Sequence, residues 1–69
     1  MNMKFWYERS IQGLQEYFRE YRKMPDVEAW NKYAQKNNYL STESIKYISG
    51  LKFHIWCKKF KRQFRQRIS

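Results

Sequence analysis

Two clusters of side chains in this chain have the types and spacing to act on a polyanion. The first is Ser41-Thr42-Glu43-Ser44, followed by Lys46 and Tyr47. Polar side chains at the start of a helix are the ones that reach base edges when that helix enters a major groove. Thr42, Ser44, Lys46 and Tyr47 are therefore the candidate base contacts. Glu43 could accept from a cytosine amine or simply favour the positive end of a helix. Ser41-Thr42-Glu43-Ser44 also reads as a helix cap, which is the commoner use of Ser and Thr at such a place. The second cluster is cationic: Lys52, Lys58, Lys59, Lys61, Arg62 and Arg65. With Ser41 these are the candidate phosphate contacts. A run of this kind is either a phosphate-gripping surface or the solvated face of an amphipathic helix. Neutralising about five to seven phosphates would give a log–log salt slope of roughly −4 to −6.

Other chemistry finds little support. The single histidine, His54, has no second His and no Cys pair beside it, so no metal site is expected. The single cysteine, Cys57, allows no intrachain disulfide, which suits a reducing compartment. Lys58 beside it could lower its pKa, but free cysteine more often packs as a small hydrophobe. There is no Ser/His/Asp set, no Gly-rich phosphate loop and no paired-carboxylate site. The sequence predicts neither a cofactor nor an enzyme. A chain of 69 residues makes one domain with a small core, which leaves little room for a substrate cleft.

Charge sharpens the expectation. Fifteen Lys and Arg against six Asp and Glu give a net charge of +9, which points to nucleic acid or an acidic membrane surface. The excess is not evenly spread. Residues 1–43 carry all six acids and are nearly neutral, whereas residues 44–69 carry eight cations and no acid. The basic character belongs to one end of the chain. Met1-Asn2-Met3-Lys4 runs straight into polar sequence, and no apolar stretch has signal-peptide or membrane-span length, so a cytoplasmic location is expected. Aromatics are 20% of residues, far above the level of a disordered basic tail, so the chain is expected to fold around rings.

The elements that must position these clusters can be read from spacing. Two glycines and one proline are too few for a strand-rich fold with many turns. Met3, Tyr7, Ile11, Leu14, Phe18 and Tyr21 recur at steps of four and three, one face of a helix over about 3–22. Gly13 is out of place there, costing about 1 kcal/mol against alanine; tolerance or close packing would account for it. Pro25 ends this segment. Asp26 caps a second helix over about 27–37, with Val27, Trp30 and Ala34 on one face and Asn37-Asn38 as its stop. Ser41 or Thr42 caps a third over about 42–49, with Ile45 and Ile48 inward and Lys46 and Tyr47 outward. Phe53, Trp56, Cys57, Phe60, Phe64 and Ile68 mark the apolar face of a long basic helix over about 51–67, with its lysines opposite. Gly50 either breaks or bends the path between the last two. The expected fold is all-α: a three- to four-helix, helix-turn-helix-like bundle with a long basic C-terminal helix.

The residues from Tyr17 to Phe60 also resemble a known module. They include Tyr17-Phe18-Arg19-Glu20-Tyr21 and Met24-Pro25-Asp26-Val27-Glu28-Ala29-Trp30-Asn31-Lys32-Tyr33-Ala34. Asn37-Asn38-Tyr39-Leu40-Ser41, Ser44-Ile45-Lys46, and Gly50 followed by Phe53 and Trp56 complete the match. The stretch is similar to the homing-endonuclease-associated repeat, a small helical DNA-binding module. Such modules have a proline at the mouth of the middle helix, an aromatic-Asn pair within it, a Leu/Pro-Ser lead into the recognition helix and a Gly-x-aromatic after it. Here the aromatic stands three residues after Gly50 instead of two, and the chain carries one copy. The resemblance implies a helix-turn-helix fold and double-stranded DNA as partner; transcription regulation is the role expected of a binder of this kind. One module buries little surface, so a homodimer or a partner domain is expected to supply tight specific binding. A second class of function stands beside it: a small interaction or inhibitor protein, of the kind phages and mobile elements encode, that docks on a partner protein. Fourteen rings are more than so small a core can hold, and exposed aromatics and Arg are common interface anchors. A membrane-surface reading of the Phe53–Phe64 stripe ranks below both, because the other helices need that stripe as their core.

Overall fold

The computed structural model describes the backbone of residues 3–68 and the side chains of residues 3–64. Within these residues the chain is all-α: α1 is Met3–Tyr21, α2 is Val27–Asn37, α3 is Thr42–Ser49 and α4 is Phe53–Ile68. Each boundary has a local cause. α1 stops at Tyr21, one residue short of the expectation. Arg22 turns to the left-handed region at φ 61°, and its N–H closes on the Phe18 carbonyl at 2.8 Å. The Asp26 carboxylate caps α2 by accepting from the Ala29 N–H at 2.7 Å. Asn38 ends α2 in the left-handed conformation at φ 60°. Gly50 does the same for α3 at φ 73°. Gly50 therefore breaks the chain into two helices. Leu51 and Lys52, expected inside α4, form the turn before it, with the Lys52 carbonyl accepting from Ile55 and Trp56.

α1 buries two adjoining stripes. Tyr7, Ile11, Leu14 and Phe18 face α4: Trp56 Nε1 donates to the Tyr7 hydroxyl at 2.9 Å, and the Phe18 and Phe64 rings lie 6.2 Å apart. Met3 and Tyr21, the ends of the expected stripe, overhang into solvent. The second stripe is Ser10, Gly13 and Tyr17, all buried. It faces α2 and the α2–α3 turn, with Tyr17 packed edge-on against Tyr33 at 5.2 Å. α4 packs against α1 and α3, and α3 against α2.

Rings fill the centre. Trp30 and Trp56 are fully buried and 6.3 Å apart, and Phe53, Phe60 and Phe64 extend the cluster along α4. Each indole removes about 150–250 Å² from water, a gross gain of roughly 4–6 kcal/mol. α2 and α3, with 11 and 8 residues, are too short to persist alone and depend on this packing. The radius of gyration, 11.2 Å, is the value of about 11 Å expected for a folded chain of this length. No helix among the described residues is long and apolar enough to cross a membrane. The Phe53–Phe64 stripe is buried, so a membrane-surface helix would lack its apolar face.

Candidate nucleic-acid interface

The α2–α3 turn is held by side chains from two helices. Ser10 Oγ donates to the Trp6 carbonyl at 2.8 Å and accepts from the Leu40 N–H at 2.9 Å. Trp30 Nε1 donates to the Leu40 carbonyl at 2.9 Å. Asn31 Oδ1 accepts from the Thr42 N–H at 3.0 Å, one of the free donors at the start of α3. The neighbours Trp30 and Asn31 thus fix the turn and the first turn of α3 together. Tyr39 locks the turn onto α1. Its ring stacks on Trp30 at 5.9 Å and 10°, the Arg9 guanidinium lies 5.7 Å from its centre, and its hydroxyl donates to Glu16 Oε2 at 3.2 Å. Gly13 sits beneath this ring. A Cβ there would come within 2.7 Å of Tyr39 Cζ, so close packing is the reason for the glycine. Burial, reinforced by the Glu16 carboxylate and the hydrogen bond to it, raises the Tyr39 phenol pKa.

Ser41 caps α3. Its Oγ accepts from the Ser44 N–H at 3.3 Å and bonds the Ser44 hydroxyl at 3.2 Å. Both hydroxyls are thereby engaged in the cap. Thr42, an expected base contact, is only 8% exposed. It lies three residues before the fully buried Ile45 and shares its inward face. Lys46 and Tyr47 point outward, and Tyr47 at 90% exposure is the most exposed large hydrophobic side chain among the described residues.

The cations among the expected phosphate contacts separate into two groups, one of them beside Lys46, an expected base contact. Lys46, the Lys52 of the turn and His54 line one shallow depression with Val27, Thr42, Glu43 and Phe53. His54 also lines the next depression, with Lys58 and Lys61 of α4 and Met24-Pro25. The two depressions meet at His54, which puts Lys46 and Lys52 on one side of it and Lys58 and Lys61 on the other. Lys59 and Arg62 lie on the other flank of α4, with Ile55 and Gln63, and Lys58 stands on the ridge between. None of these six cations forms an ion pair with a described residue. The first turn of α4 carries no acid, so its positive end adds to the same field. The side chains of Arg65 and Ile68 lie outside the described residues.

His54 is the residue that sequence reasoning passed over. Read as a lone histidine it had no role, yet it stands four and seven residues before Lys58 and Lys61, a one-face spacing. Cys57 is buried, and burial pushes its thiol up to about 12, so Lys58 does not activate it. No group of three or more His, Cys, Asp or Glu is placed to hold a metal among the described residues. No protein-family model, curated protein or solved structure matches this chain.

Proposed function

We propose that this protein is a double-stranded DNA-binding module in which α3 enters the major groove and the basic side of α4 holds the backbone. The observation that carries this reading is the continuity of Lys46, on the outward face of α3, with Lys52, His54, Lys58 and Lys61. A helix that reads a groove needs cations beside it to fix its register on the phosphates. Lys46 and Tyr47 are the side chains free to reach base edges. Ser44 sits half-buried at their edge, and Thr42 is only 8% exposed. The resemblance to the homing-endonuclease-associated repeat points the same way.

Fluorescence anisotropy with a random-sequence duplex across a salt series tests the proposal. The expected result is binding that weakens steeply with salt, with a log–log slope of roughly −4 to −6. Absence of binding at low salt, or indifference to salt, would refute it. A second reading, docking on a partner protein, draws on a separate surface. Phe5 is 54% exposed beside Glu8, Arg9 and Gln12 on α1. Recovery of one acidic protein by pull-down with nuclease present, from a chain with no DNA affinity, would favour that reading.

A further inference from the structure

Not every cation of α4 can serve one strand of a duplex seated on α3. Two residues along a helix are about 200° of rotation apart, so Lys59 and Lys61 project from opposite flanks. The depressions show the same division: Lys61 lies with His54, Lys59 lies with Arg62, Ile55 and Gln63, and Lys58 on the crest lines both. The Lys61 flank continues through His54 to Lys52 and Lys46 of the groove-facing side, whereas no α3 residue lines the Lys59 flank. Lys59 leans back over the Phe60 ring at 5.9 Å.

We infer that Lys46, Lys52, His54, Lys58 and Lys61 form a single track for the phosphates of one DNA strand, with Lys59 and Arg62 outside it. His54 is the added member, bridging the two depressions. From His54 to Lys61 the helix rises about 10 Å. One strand carries a phosphate per about 3.4 Å of duplex axis, so this part of the track lies along about three phosphates. The acid lining the track is Glu43, at its α3 end. This inference rests on the DNA-binding reading above. It adds which strand-facing flank is used.

The test compares Lys61→Glu with Lys59→Glu. The two variants change the net charge equally, so any difference reports position and not overall field. On a random-sequence duplex at low salt, Lys61→Glu is expected to weaken binding at least about tenfold more than Lys59→Glu. Because Lys61 is half-buried, the exposed Lys52→Glu serves as a second track variant, and circular dichroism checks that all three fold. His54→Glu is expected to group with Lys61→Glu and Lys52→Glu. In the salt series, Lys52→Gln/Lys61→Gln should reduce the slope by about 2, and Lys59→Gln/Arg62→Gln by less than about 0.5. Equal losses from the two flanks, or a larger loss from Lys59→Glu, would mean that the duplex lies across the crest of α4 and would overturn the track while leaving DNA binding intact. Failure of the unmodified chain to bind duplex at any salt would remove the underlying reading, and the track with it.

Discussion

Replacing Gly13 by alanine sets two known effects against each other. In an open helix interior the change gains about 1 kcal/mol of propensity. Here the new Cβ would lie within 2.7 Å of Tyr39 Cδ2 and Cζ. The ring has few ways to yield: it stacks on Trp30 at 5.9 Å, and its hydroxyl is tied to Glu16 at 3.2 Å. Overpacking a well-filled site costs about 1–3 kcal/mol, and so close an approach belongs to the upper part of that range, about 2–3 kcal/mol. Gly13→Ala should therefore destabilise the fold by about 1–2 kcal/mol net. For a domain of this size that lowers Tm by roughly 5–15 °C. Thermal unfolding followed by circular dichroism measures it. Removing the ring gives the internal control. In a Tyr39→Ala background the three atoms nearest the added methyl are gone, and Gly13→Ala should then stabilise by about 1 kcal/mol. The sign reversal across this double-mutant cycle is the signature of the contact. A rise in Tm from Gly13→Ala in the unmodified chain would refute the packing argument.

Ser10→Ala removes the acceptor for the Leu40 N–H, and urea unfolding should show a loss of about 1–3 kcal/mol. A loss under about 0.3 kcal/mol would mean that this bond does not hold the turn. Asn31→Asp keeps the oxygen that accepts from Thr42 and should be tolerated, whereas Asn31→Leu should cost about 1–2 kcal/mol; equal effects in urea unfolding would remove that bond from the account. Alkaline pH should destabilise the protein. Burial raises Cys57 from 9.0 to about 12, and Tyr17, Tyr33 and Tyr39 shift upward too. The folded state holds these protons more tightly, so their contribution is intact below the unfolded pKa values and is lost as pH climbs above about 9. Stability that rises over that interval would contradict the burial, and Cys57→Ala should flatten the first part of the fall.

The helical content of the chain was legible because its apolar periodicity is strong and its caps are explicit: Asp26, Ser41 and Gly50 each stand where the backbone needs them. The outward direction of Lys46 and Tyr47 followed from the inward Ile45. Less visible were the features that depend on a distant residue. Ser10, Gly13 and Tyr17 lie on a helical line that mixes a hydroxyl, a glycine and a phenol, so hydropathy alone does not mark it; what buries it is Leu40, Tyr39 and Tyr33, from 16 to 30 positions away. Thr42 drew attention as a polar residue at a helix start, although its three-residue offset from Ile45 already placed it inward. The division of the α4 cations into two flanks is contained in the helical phase, but which flank adjoins α3 depends on the angle at Gly50, which tertiary packing sets.

The most direct measurement of the central claim is an amide chemical-shift titration of the labelled protein with a duplex. The largest changes are expected on residues 43–47 and on Lys52, His54, Lys58 and Lys61, fading as salt is added. Changes concentrated on Phe5, Glu8, Arg9 and Gln12 of α1, or no changes at low salt, would contradict it.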